Sequence, residues 1–107
     1  MNEVHMVGNL TKDAEFFQSG DKNFMVLRIA VNHRGRDGTE ETLYIDVTCF
    51  GYLVEYGKGV SLSKGDKVSV NGRLQERTWT DKNQNKRSTI CVLANRLFKC
   101  EVMSNNM

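Results

Sequence analysis

The feature that most constrains this chain is a series of short apolar runs that alternate with period two, separated by glycine-bearing turns and uninterrupted by any proline. Met25, Leu27, Ile29 and Val31 alternate with Val26, Arg28 and Ala30. Leu43, Ile45, Val47 and Cys49 alternate with Tyr44, Asp46, Thr48 and Phe50. Alternation of this kind puts one set of side chains on a core and the other on the opposite face of a pleated strand. The runs are rich in Val, Ile, Leu and Phe, which favours several strands over a helical bundle.

Taken along the chain, Val4 to Leu10 reads as a first strand interrupted at Gly8, with a continuation through Ala14-Glu15-Phe16-Phe17 before the Ser19-Gly20-Asp21 turn. Met25 to Asn32 forms the second strand and Leu43 to Phe50 the third, joined by the polar loop His33-Arg34-Gly35-Arg36-Asp37-Gly38. Tyr52 to Tyr56 predicts a short helix ended by Gly57 and Gly59. Lys64-Gly65-Asp66 turns into a fourth strand with Val68, Val70, Gly72 and Leu74 on its apolar face and Asn71, Arg73, Gln75, Arg77 and Trp79 on the other. The hairpin tip Asp81-Lys82-Asn83-Gln84-Asn85-Lys86 leads into a last strand from about Ser88 to Phe98. Three strands, a helix and two more strands give an all-β fold, the five-stranded Greek-key barrel of the OB-fold with a short helix between strands 3 and 4. A sandwich would need roughly seven strands.

At 107 residues the chain has room for one domain, expected over residues 1–100 with 101–107 as a short polar tail, and a chain of this size buries about two-thirds of its unfolded surface. Fifteen Lys and Arg against thirteen Asp and Glu leave a net charge of only +2, so an argument for a polyanionic partner rests on where the charges sit. Cys49, Cys91 and Cys100 lie far apart in sequence, with neither a C-x-x-C clamp nor an even set for disulfides, which favours buried thiols in a reducing compartment. The opening residues lack a basic start followed by a long apolar core, and no later run approaches bilayer length. A soluble, cytoplasmic protein with no membrane partner is the expectation.

The fourth strand carries the sharpest functional signal. Its alternation puts Arg73, Arg77 and Trp79 on one face, opposite small or aliphatic residues. A lone exposed tryptophan is more often a ring lying flat on arginine stems. Here it has company, because Tyr44 and Phe50 fall on the outward face of the third strand and Arg28 on that of the second. Unpaired bases stack on such rings at about 1–3 kcal/mol each, while cations neutralise the backbone. Duplex DNA, whose bases are already stacked, offers no such partner. Arg34 and Arg36 in the loop, with Lys82, Lys86 and Arg87 on the hairpin, flank this platform. Charged loops are commonly just solvated, but at these positions they form candidate walls of a phosphate-binding groove.

Catalytic arrangements find no residues. His5 and His33 have no partner at metal-ligand spacing, no G-x-S-x-G or P-loop pattern occurs, and the carboxylates are scattered over turns and solvent faces. No enzyme activity, metal or cofactor is expected.

The chain also carries, in order, Met6-Val7-Gly8-Asn9-Leu10, Lys12-Asp13, Phe50-Gly51, Lys64-Gly65-Asp66, Val70-Asn71-Gly72-Arg73-Leu74 and Thr78-Trp79-Thr80-Asp81. This colinear set, reaching to about Phe98, resembles the bacterial-type single-stranded DNA-binding proteins. The resemblance implies an OB-fold homo-oligomer, usually a tetramer with a dimer as the alternative, assembled through its first strand and sheet surfaces. It implies coating of single-stranded DNA without sequence preference in replication, recombination and repair, in the bacterial nucleoid or in an organelle or phage. Tyr44 stands where the family places a stacking aromatic, Phe50 where it has another, and Trp79 at its fourth-strand tryptophan.

Three departures matter. Arg34-Gly35-Arg36 occupies the loop where many relatives carry a further tryptophan. Asp46, of the wrong sign for phosphate, is expected to pair with Arg28 or Arg73. The sequence ends Ser104-Asn105-Asn106-Met107, where typical relatives run on to an acidic tip that recruits other enzymes, so recruitment through such a tip is not expected. A second reading, an interaction module similar to the small dimeric primosomal OB proteins, suits the short length, and RNA binding on the same surface is a third.

Overall fold

The computed structural model describes residues 1–101, and within them the alternating runs become the strands that their spacing predicts. β1 spans Val4–Leu10, β2 Glu15–Ser19, β3 Lys22–Arg34, β4 Glu40–Phe50, α1 Tyr52–Gly59, β5 Lys67–Thr80 and β6 Lys86–Cys100. The strand order is β1-β5-β6-β4-β3-β2, with β1 pairing β3 as well. The four strands predicted after the first are therefore β3, β4, β5 and β6. With β1 they close a five-stranded OB-type barrel, and β2 lies outside the closure.

Closure depends on β1 serving two neighbours. Val4 to Asn9 run antiparallel to Gly72 to Lys67 on β5, and Asn9 and Leu10 then pair with Ala30 and Ile29 on β3. Gly8 stands at this crossing, where an added Cβ would lie 2.6 Å from the Ala30 carbonyl oxygen. Inside the barrel much of the predicted inward set packs together with Val92 of β6: Met25, Leu27, Ile29, Val47, Cys49, Val68, Val70 and Val92 are fully buried. Between β4 and β5, α1 plugs one end with Leu53 and Val54. Burial pushes the Cys49 thiol up to about 12, so at neutral pH it is an inert core group.

The structure corrects the sequence reading in several places. Ala14 to Phe17 do not continue β1, because the Ala14 N–H donates to Leu62 O (3.2 Å) and the chain then turns into a separate hairpin strand, with Gly20 at φ +62° making the β2–β3 turn. Gly57 does not stop the helix. It is buried inside α1, where a side chain would run into Met25 Sδ. Leu43 (43% exposed) and Leu74 (40%) are not core residues, since each lies where its strand has run past the barrel. β6 begins at Lys86 and reaches Cys100, longer than the Ser88 to Phe98 predicted.

The largest departure is the arm. The register between β5 and β6 slips by one residue at Asn71/Gly72, where Asn95 bulges and its carbonyl accepts from Tyr52 Oη at 3.1 Å. Beyond this bulge, from Arg73 to Thr80 and back from Lys86 to Ile90, every strand residue is exposed. The two strands leave the barrel as a ribbon, which accounts for a radius of gyration of 15.5 Å against about 13 Å for a compact chain of this length. No helix among the described residues is long and apolar enough to cross a membrane.

Replacing Gly8 by Ala should lower stability by about 1–3 kcal/mol, because backbone is the obstacle and cannot rotate away. Gly59→Ala, with open space around it, should be neutral or slightly stabilising. Thermal unfolding of the two variants beside the parent checks the contrast.

Candidate nucleic-acid interface

Residues directly opposed on paired strands share a sheet face. Glu15 opposes Val26, Val26 opposes Thr48, Thr48 opposes Leu93, and Leu93 opposes Arg73. These pairings draw one unbroken row across β2, β3, β4, β6 and β5, and the row lies on the side away from the core. The outward faces of the barrel and of the arm are therefore one surface.

Because β4 and β6 run parallel and β5 returns along β6, the direction from Thr48 towards Tyr44 matches that from Arg73 towards Arg77 and Trp79. Tyr44 and the arm thus lie on the same side of the row. Tyr44 is 56% exposed and Trp79 44%. The Arg28 guanidinium sits 6.0 Å from the centre of the Tyr44 ring and that of Arg77 5.6 Å from the Trp79 ring. Each of these two rings is thus paired with a cation lying over it, which holds the ring in place.

The cations differ in what they are free to do. Arg28 Nη1 meets Asp46 Oδ1 at 3.0 Å, the pairing that the sequence offered with Arg73 as its alternative. Arg87, opposite Trp79, donates from Nε to Asp81 Oδ2 at 2.8 Å. Arg34, Arg36, Arg73, Arg77, Lys82 and Lys86 form no ion pair among the described residues. Arg34 opposes Glu40 at the end of the β3–β4 hairpin, Arg36 lies in its loop, Lys82 sits at the tip of the arm and Lys86 begins β6. Both hairpins leave from the Tyr44 side, so these cations lie on that side of the row.

Phe50 is not brought to Tyr44. It stands at the other end of β4, about 20 Å away at the usual rise per residue. There it packs on Phe24, ring centres 5.7 Å apart, and Phe24 stacks on Phe17 at 5.3 Å. Sequence reasoning missed Phe17 and Phe24. The signal was the Ser19-Gly20-Asp21 turn, which puts Phe17 and Phe24 opposite each other once it is read as a hairpin.

At the arm's tip, Asp81 accepts backbone N–H groups from Asn83 and Asn85, each at 2.9 Å, as well as the Arg87 bond. Arg87 first, then the turn's amides, hold its carboxyl below the usual value. Asp37 is held below its usual value in the same way, by the Thr39 hydroxyl and then the Thr39 N–H. Among the described residues no group of three or more His, Cys, Asp or Glu side chains is placed to hold a metal.

The sequence profile described as the single-strand binding protein family matches residues 1–100. The chain belongs to that family. Over 103 residues it is 43% identical to the single-stranded DNA-binding protein of Deinococcus radiodurans, covering 91% of this chain and 33% of that protein. Its identity to the Wolinella succinogenes protein of the same name is 38% over 102 residues, covering 90% and 62%. This single-strand binding family chain thus spans between a third and about three-fifths of these two relatives. The crystal structure of a small single-stranded DNA-binding protein from Streptomyces coelicolor superposes with a TM-score of 0.73 at 26% identity, over 92% of this chain and 93% of that one. The Plasmodium falciparum SSB in complex with ssDNA matches at a TM-score of 0.81 over 94% and 96%, and at 18% identity it supports the OB-fold alone.

A carboxyl held low stabilises the turn above its ordinary pKa and loses that contribution as pH falls through the lowered value. Carbon-13 titration of Asp81 should therefore give a pKa below 3.8, and Arg87→Ala should move it back up towards that value.

Proposed function

We propose that this chain binds single-stranded DNA without sequence preference, coating and protecting it during replication, recombination and repair. The observation that supports this most is the five-strand row, which makes one surface of Tyr44 and Trp79 with their arginines. Bases stack on the two rings, and because every base has a π-face this contact is indifferent to sequence. Arg34, Arg36, Arg73, Arg77, Lys82 and Lys86 meet phosphates along the flanks. Arg28 and Arg87, compensated by Asp46 and Asp81, position rings and turn more than they add charge. Phe50 takes a base at the far end of β4. The act is binding, with no bond made or broken.

Residues 1–100 make up the binding unit in this reading. It assembles as a homo-oligomer, a tetramer in preference to a dimer. Exposed apolar residues away from the platform support assembly: Val7 on β1, Tyr52 on α1 and Phe98 on β6. The names and folds of its relatives favour DNA binding over the interaction-module reading. Its place of work is wherever single strands are exposed, in keeping with a bacterial cytoplasm.

Affinity for oligo-dT, measured at several salt concentrations, tests the division of labour. Log K should fall against log salt with a slope of about −0.7 for each phosphate neutralised. Trp79→Ala should weaken binding by about 5- to 100-fold at every salt with nearly the parent slope, whereas Arg73→Ala should make the slope shallower. Full affinity in Trp79→Ala contradicts the proposal.

A further inference from the structure

The row Phe17, Phe24 and Phe50 is not accounted for by the fold. In a barrel whose core is otherwise complete, these rings face outward. Phe17 is 45% exposed and Phe50 43%, in register on three adjacent strands. Their line runs across the sheet, at right angles to the direction from Tyr44 to Phe50 along β4. Phe50 is where the two lines meet.

The surroundings of the row suit a nucleotide. Beside Phe50 an open hollow of about 420 Å³ is lined by Lys22, Asn23, Gly51, Val54 and Glu55. A second, of about 210 Å³, is lined by Phe17 and Phe24 together with Phe16, Asn23 and Lys58, which belong to the α1 side of the hairpin. Lys58 Nζ lies 5.5 Å from the centre of the Phe16 ring, which opposes buried Met25 and so belongs to the other face of the hairpin, while Lys22, in phase with Phe24, has no ion pair among the described residues. Glu55 is the one anion lining these hollows. Phe17, Phe24 and Phe50, with Lys22 in phase with Phe24 on β3, continue the outward face that carries Tyr44 and Trp79.

We propose that Phe17 and Phe24 extend the single-stranded DNA track past Phe50, as a stacking row that turns the strand towards the β2 edge and holds at least one further nucleobase there, with Lys22 on its phosphates. This rests on the reading that the outward face of β4 carries DNA. It fixes the strand's course: from the arm, past Tyr44 and Arg28, along β4 to Phe50, then across β3 to β2. It also makes the site per protomer longer than the Tyr44–Trp79 end alone provides.

Titration with oligo-dT of graded length, spanning about 4–16 nucleotides per protomer, tests the row. Phe17→Leu keeps apolar bulk and removes the ring, and Phe17→Tyr restores a ring. Melting curves confirm that both fold. Phe17→Leu should lose affinity increasingly with oligonucleotide length, reaching about five- to tenfold for the longest, and Phe17→Tyr should recover it. If Phe17→Leu matches the parent at every length while Trp79→Ala binds more weakly, the row is overturned and the DNA reading stands. If the parent binds no oligonucleotide, both fall. If Phe17→Leu changes the mass of the assembly in solution with affinity per protomer unaltered, the row is a contact between copies and the proposal fails.

Discussion

The passage of β1 from β5 to β3 is the constraint on which the rest of the structure depends. At that point two backbones meet at Gly8 and Ala30 with no room for a side chain, and through that contact the sheet becomes a barrel. A closed sheet has no free edge and only two faces. Once Met25, Leu27, Ile29, Val47, Val68 and Val92 fill the inside, strand alternation commits Arg28, Tyr44, Asp46 and Phe50 to the outside. The functional surface is thus a geometric consequence of the core. The arm extends it, because past the barrel the β5–β6 ribbon keeps one register from Gly72 outwards.

In the proposed function that surface works by stacking more than by charge. The chain carries a net charge of only +2, and two of the cations beside its exposed rings face carboxylates. Exposed pairs of this kind contribute about 0–1 kcal/mol to stability, so the value of the Arg28–Asp46 pair lies in holding a guanidinium beside Tyr44. The uncompensated cations lie towards hairpin ends, where a flexible polyanion can meet them without fixed geometry. In the proposed function, rings at the centre and charges on the flanks give contacts that no base sequence controls.

Much of this was legible in the sequence, and the misses share one cause. Period-two alternation says which residues of a strand share a face, so the inward set of β3 and β4, the outward placement of Tyr44, Phe50 and Trp79, and the strand order around the helix could all be read. Alternation within a strand does not say which residue of another strand stands opposite. Phe17 and Phe24 were therefore separate residues in the sequence and neighbours in the sheet, and Phe50 was grouped with Tyr44 although β4 holds them apart. Leu43 and Leu74 keep the apolar rhythm past the point where the barrel ends. Gly57, read as a stop, is small because Met25 packs against it across the core.

The central claim is that Trp79 lies on the surface that single-stranded DNA covers. It is the only tryptophan, so its emission reports on that place alone. Titrated with oligo-dT at low salt, the protein should show saturable quenching of its fluorescence, with little change on adding duplex DNA of equal length. Unchanged emission with oligo-dT, or equal quenching by the duplex, would contradict the account.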